Sequence, residues 1–198
     1  MSLQLEPMQP EGRDGSVFNE EKNFLKTQLE NYVPWNEQEE KDRRIMLFSL
    51  NTPGIFTREN LLAHFTASAW ICNKDRRKVL MAYHKIYDSW AWTGGHADGQ
   101  RDLLSVAIRE AGEETGVCAA PLSRDIFSLE ILTVDGHEKR GSYVPSHLHL
   151  MLLICWRRMK NKTSASKRMR MQGLPGLNWR KRLKNARNPG WCSAFTES

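Results

Sequence analysis

The run Arg109-Glu110-Ala111-Gly112-Glu113-Glu114-Thr115-Gly116-Val117 sets three carboxylates at i, i+3 and i+4. On an α-helix this spacing stacks them along one side, because residues three and four apart are surface neighbours. Three like charges so close repel one another, so the arrangement calls for a compensating cation. Hard oxygen ligands suit Mg²⁺ or Mn²⁺. The periodicity predicts a helix over residues 102–115, with Leu104, Ala107, Ile108 and Ala111 as its buried stripe and Gly116 as its C-terminal cap. Glu110, Glu113 and Glu114 would then face away from the core as metal-ligand candidates. The competing reading is a solvated acidic helix face.

Just upstream, Gly94 and Gly95 carry no β-carbon, so the backbone can approach a ligand closely there. His96 beside them is a candidate for the same cleft. Trp92, Trp90 and Tyr87 are candidates to stack a nucleobase, with core packing as the competing reading. His147 and His149 lie at strand spacing on one face, where they either line a cleft or are paired or solvated histidines. Glu20, Glu21, Glu37, Glu39 and Glu40 read as solvated helix faces.

The segment 94–117 resembles the signature of the Nudix hydrolases, G-x5-E-x7-R-E-U-x-E-E-x-G-U with U apolar. Gly95 takes the first position, Arg109 and Glu110 the RE pair, Ala111 the apolar site, Glu113 and Glu114 the EE pair, and Gly116 and Val117 the close. One position departs: Arg101, flanked by Asp98 and Asp102, stands where the family has its first glutamate. The resemblance implies an α/β fold, a Nudix-type α/β/α sandwich with a mixed sheet. It implies cleavage of the pyrophosphate linkage of a nucleoside diphosphate derivative, with Mg²⁺ (or Mn²⁺) held by Glu110, Glu113 and Glu114. Glu110, Glu113 and Arg109 are its catalytic candidates, and Gly94, Gly95, His96 and Trp92 its substrate-binding ones. Binding metal lowers a carboxylate's pKa, so ligand and general base compete for Glu110 and both roles stay open. Arg109 either orients Glu110 or contacts phosphate, and the Gly95 carbonyl is a further candidate ligand. Two other readings stay open: an isopentenyl-diphosphate-isomerase-like Nudix enzyme, and a non-catalytic relative that binds nucleotide or nucleic acid.

At 198 residues the chain suffices for one domain with modest terminal additions. Residues 1–56 read as an N-terminal helical extension with helices near 20–32 and 37–50, and residues 57–155 as the core. Strands are expected at 64–73 and 78–84, forming a hairpin, and at 126–134 and 143–154 around a turn at 135–141. No apolar run reaches the roughly 18 residues of a membrane span, and the N-terminus lacks the apolar core of a secretory signal, so a cytoplasmic protein is expected. Cys72, Cys118, Cys155 and Cys192 form no C-x-x-C pair and read as reduced structural thiols. Homodimerisation stays open.

The formal charge of +6 conceals a division. Residues 151–198 hold 12 Lys and Arg against the single acid Glu197, whereas residues 1–150 hold 17 basic and 22 acidic residues. The body is acidic and the excess positive charge is in the tail, 156–198, which is expected to be irregular. Three readings compete for it: a basic arm that binds nucleic acid, an extension without function, or the product of a reading-frame shift that leaves the domain's C-terminal part incomplete. If one nucleotide was lost just after Leu150, regrouping the codons by one base turns Cys155-Trp156 into Leu whichever Cys codon is used. Each Arg-Met pair can then yield Asp, and Lys codons readily yield Glu. One consistent choice continues the strand and ends acidic; another gives a helix-like Leu-Glu-Lys-Ala-Val-Glu from residues 179–184. Under that reading the tail carries no functional information.

Overall fold

The computed structural model describes residues 15–84, 89–117, 119–139, 141–158 and 169–173. Helix α1 (Gly15–Asn31) starts earlier than its apolar pattern suggests, and α2 (Glu37–Ser49) lies almost where expected. Asn36 starts α2 by accepting a hydrogen bond from the Glu39 N–H at 2.8 Å, which satisfies one of the orphan donors of the first turn. The strands are β1 (Ala63–Cys72), β2 (Lys78–His84), β3 (Ser89–Ala91) and β4 (Thr93–His96), followed by helix α3 (Leu103–Thr115). Then come β5 (Ala119–Pro121), β6 (Ser128–Val134), β7 (His137–Lys139), β8 (Ser142–Val144), β9 (His147–Arg158) and β10 (Met169–Gly173).

The main sheet runs β10-β2-β1-β9-β5, with β3 on β2, β4 on β1 and β6 on β9. Its centre is the parallel pair β1 and β9; the other pairings in this sheet are antiparallel, so the sheet is mixed as expected. Side chains alternate across β1. Phe65, Ala67, Ala69 and Ile71 join Leu150, Leu152, Ile154 and Trp156 in the larger core cluster, together with Leu25 and Leu29 of α1, Met46 of α2, and Leu103, Val106 and Ala107 of α3. The opposite face carries Trp70, Cys72, Phe127, Leu153 and Cys155, and among the described residues no helix contributes to that cluster. Cys72 and Cys155 are buried free thiols; Cys118 and Cys192 lie outside the described residues.

Three expectations change. The single strand expected at 143–154 is two, β8 and β9, and the expected turn contains β7, which pairs with β8. Strand β9 continues past Ile154 to Arg158 although residues 151–156 show no alternation. The reason is position: Leu152, Ile154 and Trp156 pack into the larger cluster on one side of the sheet and Leu153 and Cys155 into the second cluster on the other, so both faces of β9 are buried and both are apolar. Finally, Met169–Gly173 forms an edge strand on β2, within a tail read as irregular; the remainder of that tail, 159–168 and 174–198, lies outside the described residues.

Candidate functional site

Helix α3 presents the carboxylates because its ends are fixed locally. The Asp102 carboxylate accepts from the Leu104 and Ser105 N–H groups at 3.1 and 3.2 Å, and from the Ser105 hydroxyl at 2.6 Å. Gly116 closes the helix in the left-handed conformation at φ 63°, as a C-terminal cap requires. The buried stripe differs from the expected one. Leu103, Val106, Ala107, Ala111 and Thr115 are buried, whereas Leu104 is half-buried and Ile108 exposed. The helix is therefore rotated, and Glu110 falls at the edge of the packed face instead of opposite it.

That rotation brings Glu110 against β4. A β-carbon built on Gly95 would fall within the Glu110 carboxyl group and 2.8 Å from its Cγ. Only glycine leaves room for this carboxylate over the strand. Gly94 is constrained differently: a β-carbon there would meet the Ser68 side chain, the Ala67 carbonyl at 2.7 Å and the Ser68 Cα at 2.9 Å, so this glycine serves the packing of β4 on β1.

Arg109 donates to Glu110 Oε1 at 3.0 Å and to the Gln100 side-chain carbonyl at 2.8 Å, and its Nε lies 3.9 Å from Glu113 Oε1. One guanidinium thus bridges two of the three glutamates. The Glu110 side chain is 20% exposed and that of Glu113 65%; Glu114 is half-buried. Arg101 stacks its guanidinium 5.0 Å above the Phe56 ring, while Asp98 pairs with Arg58 at 2.7 Å. That ion pair holds the Asp98 carboxyl below the usual carboxylate range.

The aromatic and histidine candidates separate from the glutamates. Trp92 packs against the second cluster, its ring centroid 6.1 Å from that of Trp70, and Trp90 meets Tyr83 edge-on at 5.4 Å. Tyr87 lies outside the described residues. His96 follows Gly95 and so points to the other face of β4, where it meets His64 at 5.1 Å and His149 at 4.8 Å between ring centroids. His64 also stacks on His147 at 4.9 Å. Burial pushes the His96 ring down to about 4, with Arg58 and His64 adding to the effect. It pushes the His149 ring to about 3, helped by the neighbouring histidines, and lowers His64 as well.

His64 was not legible as part of any site. The i, i+2 spacing of His147 and His149 was a visible signal, but the parallel register that sets His64 opposite His149 joins segments far apart in sequence. Glu39 is a correction: it is 5% exposed, not on a solvated face. Its carboxylate accepts from the Tyr32 hydroxyl at 2.7 Å, the Trp35 N–H at 2.8 Å and the Ser128 hydroxyl at 2.8 Å. Glu37 remains exposed beside Lys41, and Glu40 pairs with Arg43 and Arg44.

No helix among the described residues is long and apolar enough to cross a membrane. Among solved structures, the chain is similar to a NUDIX-family hydrolase from Clostridium perfringens, at 24% identity over 67% of this chain and 93% of the other, TM-score 0.37. It is also similar to a NUDIX hydrolase from Nitrosomonas europaea, at 15% identity over 65% and 83%, TM-score 0.43, and to an Ap4A hydrolase of C. elegans, at 19% over 55% and 79%, TM-score 0.35. No curated protein sequence matches it. The model of the NUDIX domain family matches residues 62–167, more than half of the chain, including Gly94, Gly95, the glutamates of α3 and the four histidines. With that match over the sheet and the glutamate helix together, the chain belongs to the NUDIX domain family of pyrophosphate-cleaving hydrolases.

Proposed function

We propose that this protein is a Mg²⁺- or Mn²⁺-dependent hydrolase of a nucleoside diphosphate derivative, acting in the cytoplasm. The observation that carries the reading is the Glu110 carboxylate lodged over Gly95, with Glu113 joined to it through Arg109. The donor set fits the ion: carboxylate oxygens on one helix, and a backbone kept bare by Gly95. Glu110, Glu113 and Glu114 would hold the metal, with the Gly95 carbonyl as a further ligand. Bound there, it would offset the charge of the phosphate oxygens and acidify an attacking water. Arg109 keeps the Glu110 carboxylate in one orientation, and the same guanidinium serves as a phosphate contact once metal takes over the charge of the glutamates. Glu110 is the candidate to accept the proton of the water.

The test is release of nucleoside monophosphate from a panel of nucleoside diphosphate derivatives, with and without Mg²⁺, for the wild type and Glu113→Gln. Metal-dependent release that the substitution lowers on the order of 100-fold supports the reading. Double-bond migration in isopentenyl diphosphate, assayed alongside, without diphosphate hydrolysis would assign the isomerase chemistry instead. Nucleotide binding without turnover, indifferent to Glu113→Gln, would identify a non-catalytic relative.

A further inference from the structure

Four imidazoles converge on the face of the sheet opposite Glu110. His64 comes from β1, His96 from β4, and His147 and His149 from β9. The five centroid separations among them that involve His64 or His149 lie between 4.8 and 5.1 Å. The ring nitrogens of His64, His96 and His149 offer one ligand atom each, all within 4.8 Å of one another. His64 is 4% exposed and its Nε2 has no hydrogen-bond partner among the described residues. A buried polar atom without a partner is costly, and here it lies among other lone-pair donors.

The tautomers favour metal. His64 Nδ1 lies 3.3 Å from the Asn60 carbonyl and His147 Nδ1 2.8 Å from that of Pro145. A carbonyl only accepts, so in both rings Nδ1 carries the proton and Nε2 carries a lone pair. Metal-bound histidines are commonly oriented in this way, through a second nitrogen that donates to a carbonyl. With its Nε2 a lone pair, His147 accepts a hydrogen bond from His149 Nε2–H at 3.1 Å; a metal would replace that proton, and the separation is close to the roughly 3.3 Å between two nitrogens on one tetrahedral zinc with bonds of about 2.05 Å. Of the side-chain charges that act on these rings, Arg58 and Asp98 are paired with each other, and Lys139 acts on His96 as well. Imidazole nitrogens suit Zn²⁺, whereas Mg²⁺ demands oxygen.

We propose that His64, His96 and His149, with His147 at the fourth position, form a Zn²⁺ site distinct from the glutamate site and carried on strands β1, β4 and β9. All four ligands precede Leu150, so the site does not depend on the reading of the tail. Closing the ring nitrogens of His64, His96 and His149 onto one ion shortens separations of up to 4.8 Å to roughly 3.3 Å, within the reach of small χ adjustments. The three strands are already hydrogen-bonded to one another, so the site would tie the central parallel pair to β4.

The test uses the full chain freed of metal with a chelator and titrated with Zn²⁺ alone in excess Mg²⁺, against a competing chromophoric chelator. One Zn²⁺ per chain is expected, unaffected by Glu113→Gln and weakened by at least about 10–100-fold in His64→Gln and His149→Gln. Should those variants fail to fold, imidazole ¹⁵N shifts of the wild type read the same point: Zn²⁺ should move the resonances of His64, His96 and His149. Absence of Zn²⁺ binding by the wild type, unaltered affinity in both His variants, unmoved imidazole resonances, or loss of binding with Glu113→Gln would each overturn the proposal.

Discussion

The carboxyl group of Glu110 occupies the space that a β-carbon on Gly95 would fill, whereas the neighbouring Gly94 is closed off by the backbone of β1. The two glycines therefore answer differently to the same substitution. In Gly95→Ala the obstacle is the far end of a flexible side chain, so the Glu110 carboxylate swings aside and the strand stays in place. Misplacing a catalytic carboxylate by an ångström costs on the order of 100-fold in rate. In Gly94→Ala the added carbon meets the Ala67 carbonyl at 2.7 Å and the Ser68 Cα at 2.9 Å, and such overpacking costs about 1–3 kcal/mol of stability. Urea unfolding and a hydrolysis assay on both variants check this: Gly95→Ala should keep its midpoint and lose activity, and Gly94→Ala should lose midpoint.

How much of this was legible follows from which interactions are local. The Gly116 cap, the hairpin between β1 and β2, and the row of glutamates depend on residues a few positions apart, and the sequence displays them. The rotation of α3 that lodges Glu110 over Gly95 depends on packing against β1 and β4, and the stripe starting at Leu103 cannot be told by periodicity from one starting at Leu104. Strand β9 hid its length because apolar residues on both faces erase the alternation. The histidine cluster needed the parallel register of β1 on β9, for which no local signal exists.

Glu39 illustrates the same limit energetically. A helix face rich in acids reads as solvated, yet this carboxylate anchors α2 to Tyr32 and to Ser128 of β6. Glu39→Ala strands three donors, one of them the Trp35 N–H, and should lower stability by about 2–4 kcal/mol. Glu39→Gln keeps one acceptor oxygen and should fall between. Chemical denaturation of the two variants beside Glu37→Ala, an exposed control, measures the difference. An effect for Glu39→Ala within the roughly 0.5 kcal/mol of a surface substitution would refute the anchoring role.

Trp156 bears on the frame of the tail. It is 1% exposed, and its indole N–H, a donor only, has no acceptor among the described residues. Such a group costs about 1–3 kcal/mol. In the shifted frame the Cys155-Trp156 junction encodes leucine, which fills a core without a polar atom. We expect the coding DNA, with one base restored after codon 150, to stay open and to encode an acidic continuation. The repaired chain should melt at least about 2–4 °C higher, the shift that about 1 kcal/mol produces at this size. An early stop in the shifted register, or a repaired chain that melts lower, would leave the basic tail as genuine and make salt-dependent binding of polyanions the next measurement.

The histidine cluster also sets how stability depends on pH. In the unfolded chain these rings titrate near 6.5, whereas in the fold burial holds His96 at about 4 and His149 at about 3. Between those values the unfolded state binds more protons than the native state, so stability is fully present above about pH 6.5 and falls as the pH drops through the window. Below about 4 and then about 3 the folded rings protonate too, and the loss levels off for each in turn. One proton of difference is worth at most ~1.4 kcal/mol per pH unit; with partial exposure discounted, the two rings together should contribute about 1 kcal/mol per pH unit between pH 6 and 5. Urea midpoints taken across this range in the presence of a chelator measure the slope, and a His96→Asn, His149→Gln double variant should flatten it. If the wild type unfolds at the same urea concentration at pH 5 and pH 7, the rings are not buried in their neutral form. Saturating Zn²⁺ should deepen the same dependence, because each bound imidazole must shed its proton and the metal competes with acid for every nitrogen in the cluster.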